Sequence, residues 1–270
     1  MLLLLLLAAW PVDGAVHPPR LPTAPTRKVR VFVDAGHGAP GNTGAFGCYC
    51  QAEQEHTLRV ADHLAYVLSA TGRFEVRRAR TGLPGPGYRQ RVAAAEAWKA
   101  DVIISIHADV RGSASEFPVE LDGGVAMCWR NPDAPGFAVL WNDEGPALAG
   151  RERLGRAVGA RLREAGFLAY DGYDYATLYR QDDVEPSGWI DQRPMKKRVY
   201  FLRATKIPTV IIETHHALDV REVARWDELA TVDAFAFSIG AAVLDFAQPP
   251  AARVGVDAPS AGTGAQSFAK

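Results

Sequence analysis

Three short apolar runs in this chain each end on a side chain that can bind a metal or move a proton. Val31-Phe32-Val33 leads through Asp34-Ala35-Gly36 to His37, Val102-Ile103-Ile104-Ser105-Ile106 leads to His107, and Val210-Ile211-Ile212 leads to Glu213. Short apolar runs bounded by turn residues are the pattern of strands buried on both faces. Such strands need helices over both faces of the sheet, and ligand sites of open α/β sheets collect beyond the carboxyl ends of the strands. The three runs therefore predict one site assembled from three distant strand ends.

The intervening segments carry the other half of that pattern. Leu58, Ala61, Leu64, Ala65 and Leu68 fall at helical spacing within Glu53–Ala70, with Gly72 as a stop signal. Further helices are predicted over Tyr88–Lys99, Gly145–Ala165 and, closing the domain, Val220–Phe246. Strands are predicted at Val29–Asp34, Phe74–Ala79, Asp101–Ile106, Gly124–Trp129, Val199–Leu202 and Thr209–Glu213. Strands alternating with helices imply a single α/β domain over residues 29–247, with a mainly parallel mixed sheet and helices on both faces.

Outside that domain, residues 15–28 are Pro-rich and read as a linker, and residues 248–270 read as a disordered tail. Leu2–Leu7 with Ala8-Ala9-Trp10 is too short to span a bilayer. With the small-residue stretch up to Gly14 it reads as a signal peptide over 1–14, although no basic residue precedes the leucines. The expectation is an exported chain, acting in the periplasm or cell envelope, with no transmembrane segment once mature. A net charge of -1 gives no electrostatic footprint for nucleic acid. Cys48, Cys50 and Cys128 allow one disulfide and one free thiol, with the pairing open. Without a second Cys pair at zinc-ribbon spacing they point to a structural role.

The chemistry follows from residue types. His37 sits on a glycine turn directly after a strand, and Glu53 opens a helix after a Gly/Asn/Thr-rich loop. Two histidines and one carboxylate, with a fourth position for water, form a catalytic zinc set. An unligated carboxylate is then needed to take and pass the proton, a role that suits Glu213.

Asp34-Ala35-Gly36-His37-Gly38, the helix-opening Glu53, Ser105-Ile106-His107-Ala108 and Pro208-x-x-x-x-Glu213 together resemble the zinc-dependent N-acetylmuramoyl-L-alanine amidases. These are peptidoglycan hydrolases that cut between N-acetylmuramic acid and the L-alanine of the stem peptide. The resemblance covers roughly Val29 to Phe246. It implies one Zn2+ ion held by His37, Glu53 and His107 as metal ligands, with Glu213 catalytic and peptidoglycan as substrate; whether an activator protein is a further partner is left open. Glu55 competes with Glu53, which has the matching distance to Leu58 and Ala61. Arg80 and Arg91 fall at arginine positions of the family and are read as supporting the site. Another zinc amide hydrolase on the same scaffold, a peptidase or deacetylase, is the alternative reading; a non-catalytic wall-binding protein is disfavoured by the intact Glu213.

Departures from the family pattern raise further expectations. Where Glu-x-Gly-Phe is common, this chain has Glu213-Thr214-His215-His216, so His215 and His216 either contact the site or are local choices. The segment 167–198 reads as a long insert holding Tyr170, Tyr173, Tyr175, Tyr179 and Trp189. It fits a lid over the site or an aromatic cluster packed to hold the loop down. Arg193, Lys196, Lys197 and Arg198 suit stem-peptide carboxylates or a solvated patch.

Overall fold

A computed structural model describes residues 14–23, 25–175 and 177–248. All but the last residue of the expected signal peptide, and the tail after Gln248, lie outside those residues. In chain order the elements are β1 (Val29–Ala35), α1 (Glu53–Ala70), β2 (Phe74–Arg78), α2 (Tyr88–Ala97) and β3 (Val102–Asp109). Then come β4 (Ser115–Leu121), β5 (Gly124–Arg130), β6 (Ala138–Trp141), α3 (Leu148–Glu164), β7 (Tyr179–Gln181) and β8 (Gly188–Asp191). The chain closes with α4 (Tyr200–Ala204), β9 (Thr209–His216), α5 (Val220–Trp226) and α6 (Leu229–Ala247).

Seven strands form one sheet in the order β2-β1-β3-β9-β6-β8-β7. The pairings β1 with β2, β1 with β3 and β3 with β9 are parallel; β6 runs antiparallel to β9, and β7 to β8. This is the mainly parallel mixed sheet that the apolar runs predict. Alternation along each strand divides the core into two layers, because successive side chains leave opposite faces. Val31, Val33, Ile104, Ile106, Val210 and Ile212 pack under α1, α3 and α6. Phe32 and Ile103 face α2 and α4, and Ile211 faces the cluster of Tyr170, Tyr175 and Trp189. Helix α6 is long and apolar enough to cross a membrane, yet Ala234, Ile239, Ala242 and Val243 are fully buried in the core.

The structure departs from the predicted elements at several points. Val199–Leu202 is not a strand: Tyr200–Ala204 is a short helix whose Phe201 packs on Phe32's layer. The closing helix is two, α5 and α6, with Asp227 and Glu228 between them. Gly124–Trp129 is a strand but leaves the central sheet, pairing antiparallel with β4 as a hairpin. The sequence patterns miss β4, β6, β7 and β8: Pro118 interrupts the β4 run, and the three or four residues of the others carry too little periodicity to read. Two of them lie in the segment 167–198, so that segment is built into the sheet. Its Tyr170, Tyr175 and Trp189 are buried, which matches packing and not a lid, while Tyr173 is exposed. The Pro-rich stretch expected as a linker runs against the domain: Val16 and Leu21 touch the core, and Arg27 pairs with Asp101 at 2.6 Å.

A disulfide joins Cys50 to Cys128 and leaves Cys48 buried as the free thiol, its pKa pushed up to about 11 by burial. The bridge ties the loop before α1 to the β4–β5 hairpin.

Candidate active site

Parallel pairing brings the three strand ends together. Ala35 stands level with Ile106, Ile106 with Ile212, and His107 with Glu213, so β1, β3 and β9 deliver their side chains to one edge. His37 lies just past β1 in the left-handed region, at φ 59°, between Gly36 and Gly38. That conformation costs a residue with a side chain free energy and needs surrounding support. The support is visible. The backbone N–H of His37 donates to the Tyr88 hydroxyl at 3.2 Å, and Arg91 donates to the His37 carbonyl. Arg91 is itself fully buried, bonded to Asp34 at 2.9 Å and to the Ala35 carbonyl at 2.7 Å. Arg80 binds the carbonyls of Ala35, Gly36 and Gln54, stitching the turn to the first turn of α1. Both arginines therefore brace the backbone that presents His37.

Helix α1 begins at Glu53, whose side chain is buried and faces the two histidines. Its Oε2 lies 3.0 Å from His37 Nε2 and its Oε1 lies 3.0 Å from His107 Nδ1. The backbone N–H groups of Ala45 and Ala108 donate to the same carboxylate, each at 3.1 Å. Glu55 points to solvent from the next face of the helix. Glycine is required twice around this cluster. A Cβ at Gly36 would fall 2.5 Å from the His107 ring, and one at Gly44 would fall 2.5 Å from Glu53 Oε2.

The donor atoms of His37, Glu53 and His107 all lie within 4.8 Å of one another, a spacing that fits a single divalent ion. Electrostatics agree. Burial opposes a charged Glu53, but His107 and His37 outweigh it and hold the carboxyl well below its usual range. Burial likewise opposes a charged His37, and Glu53 with Asn42 raises its pKa nonetheless. Asn42 Oδ1 lies 2.7 Å from His37 Nδ1, so the outer nitrogen is tied down and Nε2 faces the cluster. Asn42 was not singled out in the sequence; its place in the Gly41-Asn42-Thr43-Gly44 loop is the signal that could have found it. Partners of this kind typically carry 10- to 100-fold in metal affinity. Asn42→Ala is therefore expected to weaken metal binding by about that factor with the fold intact, measured by competition with a chelating dye; unchanged affinity would refute the role.

Glu213 ends the run on β9 beside His107, and its side chain has no hydrogen-bond partner among the described residues. Burial, with Asp109 and Glu53 nearby, raises its pKa well above the carboxylate range, while Arg111 pulls the other way. His215 and His216 do not join the cluster. His215 stacks on Trp226 at 5.6 Å and meets His56 edge-on at 4.6 Å. His216 is buried with Nδ1 3.3 Å from the Arg111 backbone nitrogen and no partner for Nε2. Of the basic run, Arg193 and Arg198 are engaged with Asp191, Asp143 and Glu144, whereas Lys196 and Lys197 are exposed.

Behind Glu213 lies a buried polar network that the sequence did not disclose. Arg111 donates to Asp109 at 3.1 Å and to the carbonyls of Ala134 and Gly136, and its guanidinium stacks 3.9 Å from the Tyr170 ring. Tyr175 donates to the same Asp109 carboxylate. Glu222 accepts from the backbone of Gly136 and His216, and burial pushes its pKa up to about 7.

Acid should act on this network through His216, which burial and then Arg111 hold down to about 4 against an ordinary 6.5. Above pH 6.5 neither state is protonated there. Below it the unfolded chain binds the proton first, so stability falls by about 1.4 kcal/mol per pH unit, or about 2 kcal/mol by pH 5. Glu222 acts in the opposite sense: its contribution is full at low pH and lost as pH rises through 7. The His216→Gln variant isolates the histidine. Its denaturant-measured stability is expected to lose about 2 kcal/mol less than wild type between pH 7.5 and 5, and parallel losses would refute the assignment.

The family model for N-acetylmuramoyl-L-alanine amidase matches residues 31–245. The chain belongs to that family. Solved amidase structures share its fold. The amidase of Mycobacterium smegmatis superposes with a TM-score of 0.62 at 18% identity, covering 82% of this chain and 97% of that one. The amidase of Clostridium difficile 630 gives 0.60 at 20% identity, covering 82% and 97%. That of Nostoc punctiforme gives 0.57 at 20% identity, covering 83% and 98%. No curated protein matches the chain. In this amidase domain His37, Glu53 and His107 converge at the carboxyl edge of the sheet, and Glu213 stands level with His107.

Proposed function

We propose that this chain is an exported, zinc-dependent N-acetylmuramoyl-L-alanine amidase, hydrolysing the amide between N-acetylmuramic acid and L-alanine in peptidoglycan. The observation that carries the reading is the convergence of His37, Glu53 and His107 next to a half-buried carboxylate, Glu213, whose side chain has no hydrogen-bond partner among the described residues. His37 through Nε2, His107 through Nδ1 and Glu53 through its carboxylate would hold the ion, and a nitrogen-rich set with one carboxylate suits zinc. When bound, zinc supplies Lewis acidity toward the amide carbonyl and lowers the pKa of water.

The protein's own groups do the rest. Glu213 takes the proton from the attacking water and delivers it to the nitrogen of the departing L-alanine. Asp34, Arg80 and Arg91 keep the His37 turn rigid, so the donors need not reorganise during the reaction. Export follows from the apolar N-terminus read as a signal peptide. One fold neighbour, an amidase of Clostridioides difficile, was solved in complex with the GerS lipoprotein, which supports keeping a partner protein in the proposal.

The test is metal content and muropeptide cleavage measured together, with His37→Ala beside wild type. One zinc per chain and release of free stem peptide, both lost in the variant, is the expected result. Zinc binding with cleavage of ordinary peptides instead would replace the amidase by another amide hydrolase on this scaffold.

A further inference from the structure

The β4–β5 hairpin leaves β3 two residues after His107 and returns at Asn131, whose backbone N–H donates to Leu218 just past β9. It therefore stands at the sheet edge that carries the site. The Cys50–Cys128 disulfide clamps it to the loop three residues before Glu53. Its inner face, Val119 and Cys128, is buried. Its outer face is not: Val125, Met127 and Trp129 are 68%, 55% and 48% exposed at alternate positions of β5. Cross-strand pairing sets Glu120 opposite Val125, Pro118 opposite Met127 and Glu116 opposite Trp129. Neither glutamate has a cationic partner among the described residues.

From this arrangement we infer that the outer face of the hairpin is a binding surface for the glycan strand of the wall polymer. The inference rests on the peptidoglycan reading of the site. A pyranose ring offers an apolar C–H face and a rim of hydroxyl donors. Trp129 gives the first a flat apolar platform, and Glu116, directly across the ladder, accepts from the second. From Val125 to Trp129 the stripe runs roughly 14 Å, longer than one sugar ring. Charge selects among the occupants. Glu116, Glu120 and the turn residue Asp122 repel the carboxylates of stem peptides and leave the uncharged glycan backbone as the complementary part of the polymer. Protein–protein contacts, in contrast, are depleted in glutamate at their centres. Tyr49 and Phe46, also exposed, lie on the disulfide-clamped loop between the hairpin and Glu53, and extend the apolar surface toward the cluster.

The experiment is calorimetric titration of the whole protein with soluble oligomers of N-acetylglucosamine, uncharged pyranose chains that carry no lactyl–peptide amide for the amidase reaction to consume. Wild type is expected to bind, Trp129→Ala to bind at least tenfold more weakly, and Trp129→Phe to recover most of the loss. Glu116→Ala should weaken binding severalfold, and unchanged melting temperatures would show that the variants fold. Absence of binding by wild type, or equal affinity in Trp129→Ala, overturns the proposal. So does a concentration-dependent dimer or a protein complex that depends on Trp129 while glycan binding does not. Glycan binding lost in Trp129→Ala, in a protein that fails to cleave muropeptides, would uphold the surface and overturn the amidase reading alone.

Discussion

Glu213→Gln is expected to reduce muropeptide cleavage by about three orders of magnitude while leaving zinc content and fold unchanged; positioned general acid–base groups contribute 10²–10⁴-fold. The substitution preserves volume and removes only the capacity to take and return a proton. The side chain has no hydrogen-bond partner to lose among the described residues, so the variant should not be destabilised. A Gln there also relieves the unfavourable approach of buried carboxylates, since Asp109 and Glu53 both raise the Glu213 pKa. Equal or higher stability with abolished turnover is thus the signature of a catalytic group, distinct from a structural one. A variant that keeps both zinc and full activity would move proton transfer elsewhere, with Asp109 the nearest carboxylate to examine.

Loss of the Cys50–Cys128 disulfide should be the largest single effect on stability. The bridge closes a loop of 78 residues, for which chain-entropy arguments give up to about 4.5 kcal/mol. For a domain of this size that corresponds to a fall of roughly 10–15 °C in melting temperature. The expected site effect is separate: Cys50 precedes Glu53 by three residues, so freeing it loosens the segment that presents a ligand. Reduction, or the Cys50→Ser/Cys128→Ser pair, should therefore lower metal affinity as well as the melting temperature. The measurement is thermal unfolding and metal competition with and without reductant. A fully reduced protein with an unchanged transition would show that the hairpin is held by packing alone.

Much of the site was legible before any coordinates because its parts are local. A run such as Val102–Ile106 announces a buried strand, and the residue after a parallel strand lies at the sheet's carboxyl edge whatever the loops do. The distance to Leu58 and Ala61 favours Glu53 over Glu55, and the helix turns Glu53 inward and Glu55 to solvent. What escaped was of two kinds. Pro118 interrupts β4, and strands β6, β7 and β8 are too short for periodicity to register, so a segment that completes the sheet looks like an insert. Asp109 and Arg111 are neighbours in sequence, but Tyr175 joins them from 66 residues past Asp109, and a charged residue two positions after a strand reads as surface until tertiary packing buries it.

The division has a physical basis. Local residue patterns are enough for the α/β class, the parallel strands β1, β3 and β9 and the edge at which His37, His107 and Glu213 gather, because burial on both faces and side-chain alternation act within a few residues. Long-range packing, in contrast, pairs Cys50 with Cys128, turns His215 to Trp226, and stands the hairpin beside the site with Trp129 exposed. Those outcomes depend on which distant surfaces meet, and the free energy of that meeting belongs to no local segment.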